Sequence, residues 1–159
     1  MNTLIIYDSE FGNTAHVAQR IGQVLEPYGS VQILPASDIS KLEAQGIDLL
    51  LIGGPTQRHG MSPALQTLLE KLPANSLQGI ATATFDTRYQ SSTQVTGSAA
   101  AKSAKMLHKL GAHLLVPANS FFVVEREGPL AEDELEAATH WTLSLLERFN
   151  AAIQEKSHV

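Results

Sequence analysis

Cysteine is absent from this 159-residue chain. That absence excludes a disulfide framework, a thiolate zinc site and a cysteine nucleophile. Basic residues are scarce: 11 Lys and Arg stand against 16 Asp and Glu, a formal net charge of -5. Binding to a phosphate backbone needs clustered Lys and Arg, so nucleic acid is not an expected partner. No apolar run approaches the roughly 20 residues of a membrane helix. The strand-like segment Leu4-Ile5-Ile6-Tyr7 has no basic stretch ahead of it, so no signal peptide is expected. The expectation is a cytoplasmic protein without a membrane partner. The six histidines lack metal-ligand spacing. Neither a Walker nor a dinucleotide glycine fingerprint occurs.

What is present is enough hydrophobic sequence, 43%, for one sizeable core. With no repeat, linker or low-complexity block, residues 1–159 are expected to form a single domain. Leu4 to Tyr7 reads as a buried strand. Val17, Ile21, Val24 and Leu25 follow at helical spacing, and Pro27 and Gly29 end that helix. Val31-Gln32-Ile33 alternates as an edge strand does. Residues 37–46 are expected to form a short helix begun by Ser37. Leu49 to Ile52 is a second buried strand, with Gly53-Gly54-Pro55 as its stop. Ser62-Pro63 opens a helix carrying Leu65, Leu68, Leu69 and Leu72.

Ile80 to Phe85 is the next strand, ending at Asp86. A polar stretch from Thr87 to Gly97 follows, whose Ser, Thr and Gln content suggests mobility. Ser98 to Leu110 reads as an alanine-rich helix with Gly111 at its stop. Leu114-Leu115-Val116 and Phe121-Phe122-Val123-Val124 are two strand pieces separated by Pro117 to Ser120. Glu132 to about Asn150 forms the last helix, and the tail beyond is expected to fray. Strands alternating with helices imply a parallel sheet covered on both faces.

In such a sheet ligands sit beyond the carboxyl ends of the strands. The first loop there is Ser9-Glu10-Phe11-Gly12-Asn13-Thr14. It offers hydroxyls at Ser9 and Thr14, an amide at Asn13 and a glycine at the turn. It also opens a helix, where unpaired N–H groups and the dipole favour an anion. It holds no Lys or Arg, so a phosphate would be met by neutral donors. An ordinary capping turn has the same composition.

The loop has the form Ser/Thr-x-x-Gly-x-Thr directly after the first strand, and here the chain resembles the flavodoxin family. The resemblance covers about residues 3 to 150 and extends to Ile52-Gly53-Gly54-Pro55-Thr56, at the end of the third strand. It implies a flavodoxin-like α/β three-layer sandwich with five parallel strands in the order 2-1-3-4-5. It also implies FMN as the cofactor, its phosphate in the loop from Ser9 to Thr14.

The second loop, Pro55-Thr56-Gln57-Arg58-His59-Gly60-Met61, is similar to the ring-side loop of quinone-reductase relatives. It has one extra residue and places His59 where they carry an aromatic. The resemblance puts Pro55, Thr56, Gln57, Arg58, His59 and Gly60 against the flavin. It also suggests the His59–Gly60 peptide as the one that turns over on reduction, since glycine tolerates positive φ. From the third loop it draws Asp86, Thr87, Arg88 and Tyr89, with Tyr89 as the stacking aromatic. Arg58 and Arg88 depart from the acidic and apolar surroundings of family electron carriers. Facing the flavin, they would favour its anionic reduced form. They could equally recognise an anionic substrate or a nicotinamide phosphate, or point to solvent.

Two other constellations are set aside. A receiver domain needs an aspartate where this chain has Gly53 and Gly54. Gly60-Met61-Ser62-Pro63-Ala64 is not a nucleophile turn, because Pro63 makes Ser62 a helix cap. The expected function is electron transfer through non-covalent FMN, with a redox protein or a small-molecule acceptor as partner. A reductase dependent on NAD(P)H or quinone, or a flavin-free scaffold, are the alternatives. The oligomeric state is left open, and no acid, base or nucleophile is assigned.

Overall fold

The computed structural model describes residues 1–159. Apolar alternation within each strand decides the architecture. In β1 (Asn2–Tyr7) Ile5 faces one side of the sheet while Leu4 and Ile6 face the other. In β3 (Leu49–Pro55) Leu49 and Leu51 share the side of Ile5, and Leu50 and Ile52 the opposite one. Strands apolar on both faces must be covered twice. One cover is α1 (Asn13–Leu25) with α5 (Glu134–Ser157), through Val17, Ile21, Leu25, Leu145 and Phe149. The other is α2 (Pro63–Glu70) with α4 (Ala99–Lys109), through Leu65, Leu68, Leu69 and Leu107.

β2 (Ser30–Pro35) and β4 (Ala81–Tyr89) complete the central sheet. All pairings are parallel, in the order β2-β1-β3-β4 and then a fifth strand position, as expected for the flavodoxin-like sandwich. The last position is filled by two segments, β5 (His113–Leu114) and β6 (Asn119–Val123), both paired with β4. From Leu114 to Asn119 the chain advances five residues while β4 advances three, from Thr82 to Phe85. Pro117 lies in this bulge, where a missing N–H costs no ladder bond. Behind it Phe85, Phe121 and Trp141 pack edge to face, with ring centroids 5.9 to 6.2 Å apart. No helix is long and apolar enough to cross a membrane.

Several elements differ from expectation. Residues 37–46 are not an α-helix; only Ala36–Asp38 makes a single 3-10 turn. Leu42 alone is buried between residues 37 and 46, too little to stabilise a costly helical nucleus. The last helix does not fray at Asn150 but runs to Ser157, through the good helix formers Ala151, Ala152, Gln154, Glu155 and Lys156. α3 (Thr93–Thr96) puts one helical turn inside the polar stretch. β4 continues past Asp86 to Tyr89.

Gly53 and Gly54 do not stop β3; both lie within it and pair with Phe85 and Asp86 of β4. Glycine is needed there for space. A Cβ on Gly53 would stand 2.0 Å from the Phe85 ring, and one on Gly54 2.4 Å from Leu65. Gly53→Ala is therefore expected to destabilise the fold by roughly 2 kcal/mol through overpacking, although alanine is the better residue for chain entropy. Urea unfolding of the two proteins measures this; a neutral or stabilising outcome would contradict the packing argument.

Candidate functional site

The carboxyl ends of β1, β3, β4 and β6 open onto one cleft of about 970 Å³. That volume lies at the upper end of the range for small-molecule sites, about 300–1,000 Å³. Its floor is the turn from β1 into α1. Gly12 takes φ +92 there. Ser9 Oγ accepts from the N–H groups of Gly12 (3.1 Å) and Ala15 (3.3 Å). The N–H groups of Glu10, Phe11, Asn13 and Thr14 make no hydrogen bond within the chain. They form an anion cradle of unpaired donors at the positive end of the α1 dipole. Thr14 is buried, its hydroxyl 2.8 Å from that of Thr87.

The second wall is a tight turn. Gln57 and Gly60 exchange both backbone hydrogen bonds, at 2.9 and 2.8 Å. Arg58 and His59 between them take φ +47 and +67. Side chains rarely adopt this left-handed geometry, and here it falls on two non-glycine residues in succession. Gly60 itself has no positive φ in this conformation, so the left-handed positions of the turn are Arg58 and His59. The turn is held from two sides. Gln57 Nε2 donates to Glu10 at 2.7 Å, tying it to the first loop. His59 rests on Gly97, where a Cβ would stand 2.2 Å from the His59 carbonyl oxygen.

Asp86 does not line the cleft; it is fully buried behind the wall. Its Oδ2 accepts from Ser98 Oγ (2.7 Å), Ala100 N–H (3.0 Å) and Thr56 Oγ1 (3.1 Å). Thr56 Oγ1 in turn accepts from Ala99 N–H at 2.9 Å. One carboxylate thus caps α4 and fastens the second loop to it, with the α4 dipole favouring its charge. Arg88 is similarly engaged. Its Nε donates to Ser120 Oγ (2.8 Å), and one terminal nitrogen donates to Ser91 O (2.6 Å) and Thr96 Oγ1 (3.0 Å). It also lies 3.9 Å from Asp86 Oδ1 and over the Phe122 ring. The polar stretch expected to be mobile is therefore strapped down by Arg88.

Ser9, Glu10, Phe11, Asn13, Thr14, Pro55 to Gly60, Thr87, Arg88 and Tyr89 meet in this cleft; Gly12 shapes the floor without lining it. Sequence reasoning missed Lys102 and Arg126, which also line it. Lys102 sits on the first turn of α4 beside Gly60, with Nζ 2.9 Å from where a Gly60 Cβ would stand. Arg126 comes from a fourth loop, after β6. Its guanidinium lies 6.0 Å from the Phe11 ring centroid, and the neighbouring Glu127 carbonyl accepts from Asn13 Nδ2 at 3.2 Å. The available signal was position, since this loop too follows a strand of the sheet.

A family model described as a flavodoxin domain matches residues 4–157. Flavodoxin 2 from Bacillus cereus superimposes with a TM-score of 0.79 at 20% identity, over 93% of this chain and 99% of that one. A flavodoxin from the domain Archaea gives 0.77 at 20% identity, over 94% and 99%. Rubredoxin oxygen:oxidoreductase from Desulfovibrio gigas gives 0.73 at 16% identity, over 96% of this chain but 37% of that one. No curated protein sequence matches.

The Asp86 brace makes a prediction of its own. Asp86→Ala leaves a buried helix N–H and two partly buried hydroxyls without their acceptor, at an expected cost of about 2 kcal/mol. Asp86→Asn keeps the shape but not the charge, and is expected to cost about half as much. Thermal unfolding of both variants ranks them; a loss under about 1 kcal/mol for the alanine would show that the brace is dispensable.

Proposed function

The chain belongs to the flavodoxin domain family, and from that premise we propose that it binds FMN non-covalently in this cleft and carries electrons through it. The observation that carries the proposal is the cradle of free N–H groups from Glu10, Phe11, Asn13 and Thr14, opening into a cleft large enough for a ring system. A phosphate dianion in the cradle satisfies donors that nothing in the chain reaches. The ring would lie between the Gln57–Gly60 turn and Tyr89, the exposed aromatic at the end of β4. When bound, FMN supplies the reversible electron chemistry.

The residues of the chain bind, orient and tune it. Ser9 and Gly12 shape the cradle, and Asp86 holds Thr56 and the turn in place. Arg58, on the exposed turn and without an acidic partner, favours the anionic reduced flavin over the neutral one. A small-molecule reductase on the same scaffold would be reduced directly by NAD(P)H.

Two measurements test this. Purified protein titrated with FMN is expected to show perturbed flavin bands and to bind FMN at least ~100-fold more tightly than riboflavin. The phosphate adds two or more charge-assisted hydrogen bonds, each worth about 1.5 kcal/mol or more. Failure to bind FMN sinks the proposal, and rapid anaerobic reduction by NAD(P)H would replace carrier with reductase. In a redox titration Arg58→Gln is expected to lower the second potential by roughly 20–60 mV, the value of removing a solvent-screened charge near the ring. An unchanged potential places Arg58 away from the flavin.

A further inference from the structure

The cleft reverses the charge of the chain. The protein carries a net charge of -5, with 11 basic and 16 acidic residues. Four of the basic residues line the cleft, against a single acid, Glu10. Arg88 is occupied with Asp86 and the polar stretch. Arg58, Lys102 and Arg126 are exposed and have no acidic partner within ion-pair distance. The phosphate cradle is made of backbone N–H groups, so it does not consume these three cations.

Exposed apolar surface gathers on the same face. Phe11, Tyr89 and Val95, which line the cleft, are 41%, 44% and 62% exposed. Val124, next to Val123 of the wall, is 56% exposed. Exposed aromatic residues beside arginine, as Phe11 and Tyr89 stand beside Arg126 and Arg58 in the cleft, are enriched in protein interfaces over ordinary surface. Redox encounters use small interfaces of this kind. The sign of the charge around the cleft selects the partner. A second copy of this chain docked face to face would set cation against cation, whereas a surface rich in Asp and Glu would be steered in and held.

Resting on the reading that FMN occupies the cleft, we propose that this face docks an acidic redox protein, whose carboxylates meet Arg58, Lys102 and Arg126. The remainder of the chain is net acidic, and its field biases the encounter towards the cleft. The expected consequence is a preference opposite to the one the net charge predicts.

Two forms of one acceptor test this: native cytochrome c, which is basic, and succinylated cytochrome c, whose lysine ammonium groups have become carboxylates around the same haem. Each ferric haem takes one electron from the photoreduced, FMN-loaded protein and becomes ferrous. At low ionic strength the succinylated form is expected to be reduced at least ~10-fold faster. Screening should shrink that advantage to within about twofold at high salt. The triple variant Arg58→Gln, Lys102→Gln, Arg126→Gln is expected to abolish it. The triple variant Lys71→Gln, Lys109→Gln, Lys156→Gln makes the same change in net charge at the far ends of α2, α4 and α5, and is expected to keep it.

A faster native cytochrome, or equal losses in the two triple variants, overturns the proposal. Calorimetric binding of succinylated cytochrome c to flavin-free protein gives a second readout. Binding that only the cleft triple variant weakens supports docking; no binding, or equal binding by both variants, refutes it. Should the chain take up no FMN, the kinetic arm is empty and the electron-carrier reading falls, while the calorimetric arm still decides the docking face. All six positions are exposed, so both triple variants are expected to fold, as circular dichroism would verify.

Discussion

Asp86 Oδ2 receives hydrogen bonds from three directions: the loop after β3, the cap of α4 and the first turn of that helix. Fully buried, its polar carboxyl group is tolerable only while those donors stay in place. The position of the second loop follows from that constraint. Thr56 cannot move without releasing Asp86, and the Gln57–Gly60 turn begins at the next residue. His59 then leans on Gly97, and Arg88 draws Ser91 and Thr96 in beside it. The wall of the cleft is therefore a chain of dependencies that starts at one carboxylate.

This rigidity bears on how a cofactor would be held. The turn of the first loop is held from within the chain, because Ser9 Oγ caps the N–H groups of Gly12 and Ala15. The left-handed pair Arg58–His59 is held against its preference by the reciprocal bonds of Gln57 and Gly60. A site held in shape by its own hydrogen bonds loses less conformational entropy when a ligand orders it. The free cations lie on the exposed turn, helix and fourth loop, outside this braced frame. They act on the electrostatics of the cleft and on what approaches it, rather than on its shape.

Much of this was legible in the sequence because it is local. Leu49 to Ile52 reads as a buried strand, and Ser62-Pro63 as the start of a helix. The Ser9–Thr14 loop declared itself by its place after a strand and before a helical stripe. Where reading failed, a distant contact decided. Gly53 and Gly54 look like a stop, yet they continue the strand because Phe85 and Leu65 need the space. Arg88 looks like a free ring-side charge, yet Ser120, Ser91 and Thr96 claim it. Residues 37–46 have a capping residue but no apolar stripe for a neighbour to cover.

Periodicity and turn chemistry, which act over a few residues, determined the alternation of strands and helices, the parallel sheet and the loops at its carboxyl edge. Nothing so local could tell that Asp86 turns inward to brace the cleft while Arg58, Lys102 and Arg126 converge around it. Those three residues lie on separate loops and a helix, and only the packing of β3, α4 and β6 against β4 gives them a common face. Hydrophobic burial sets that packing, and it is indifferent to the charges it brings together. The fold was thus a property of the sequence read in short windows, whereas the cationic character of the cleft arose only when the chain closed on itself.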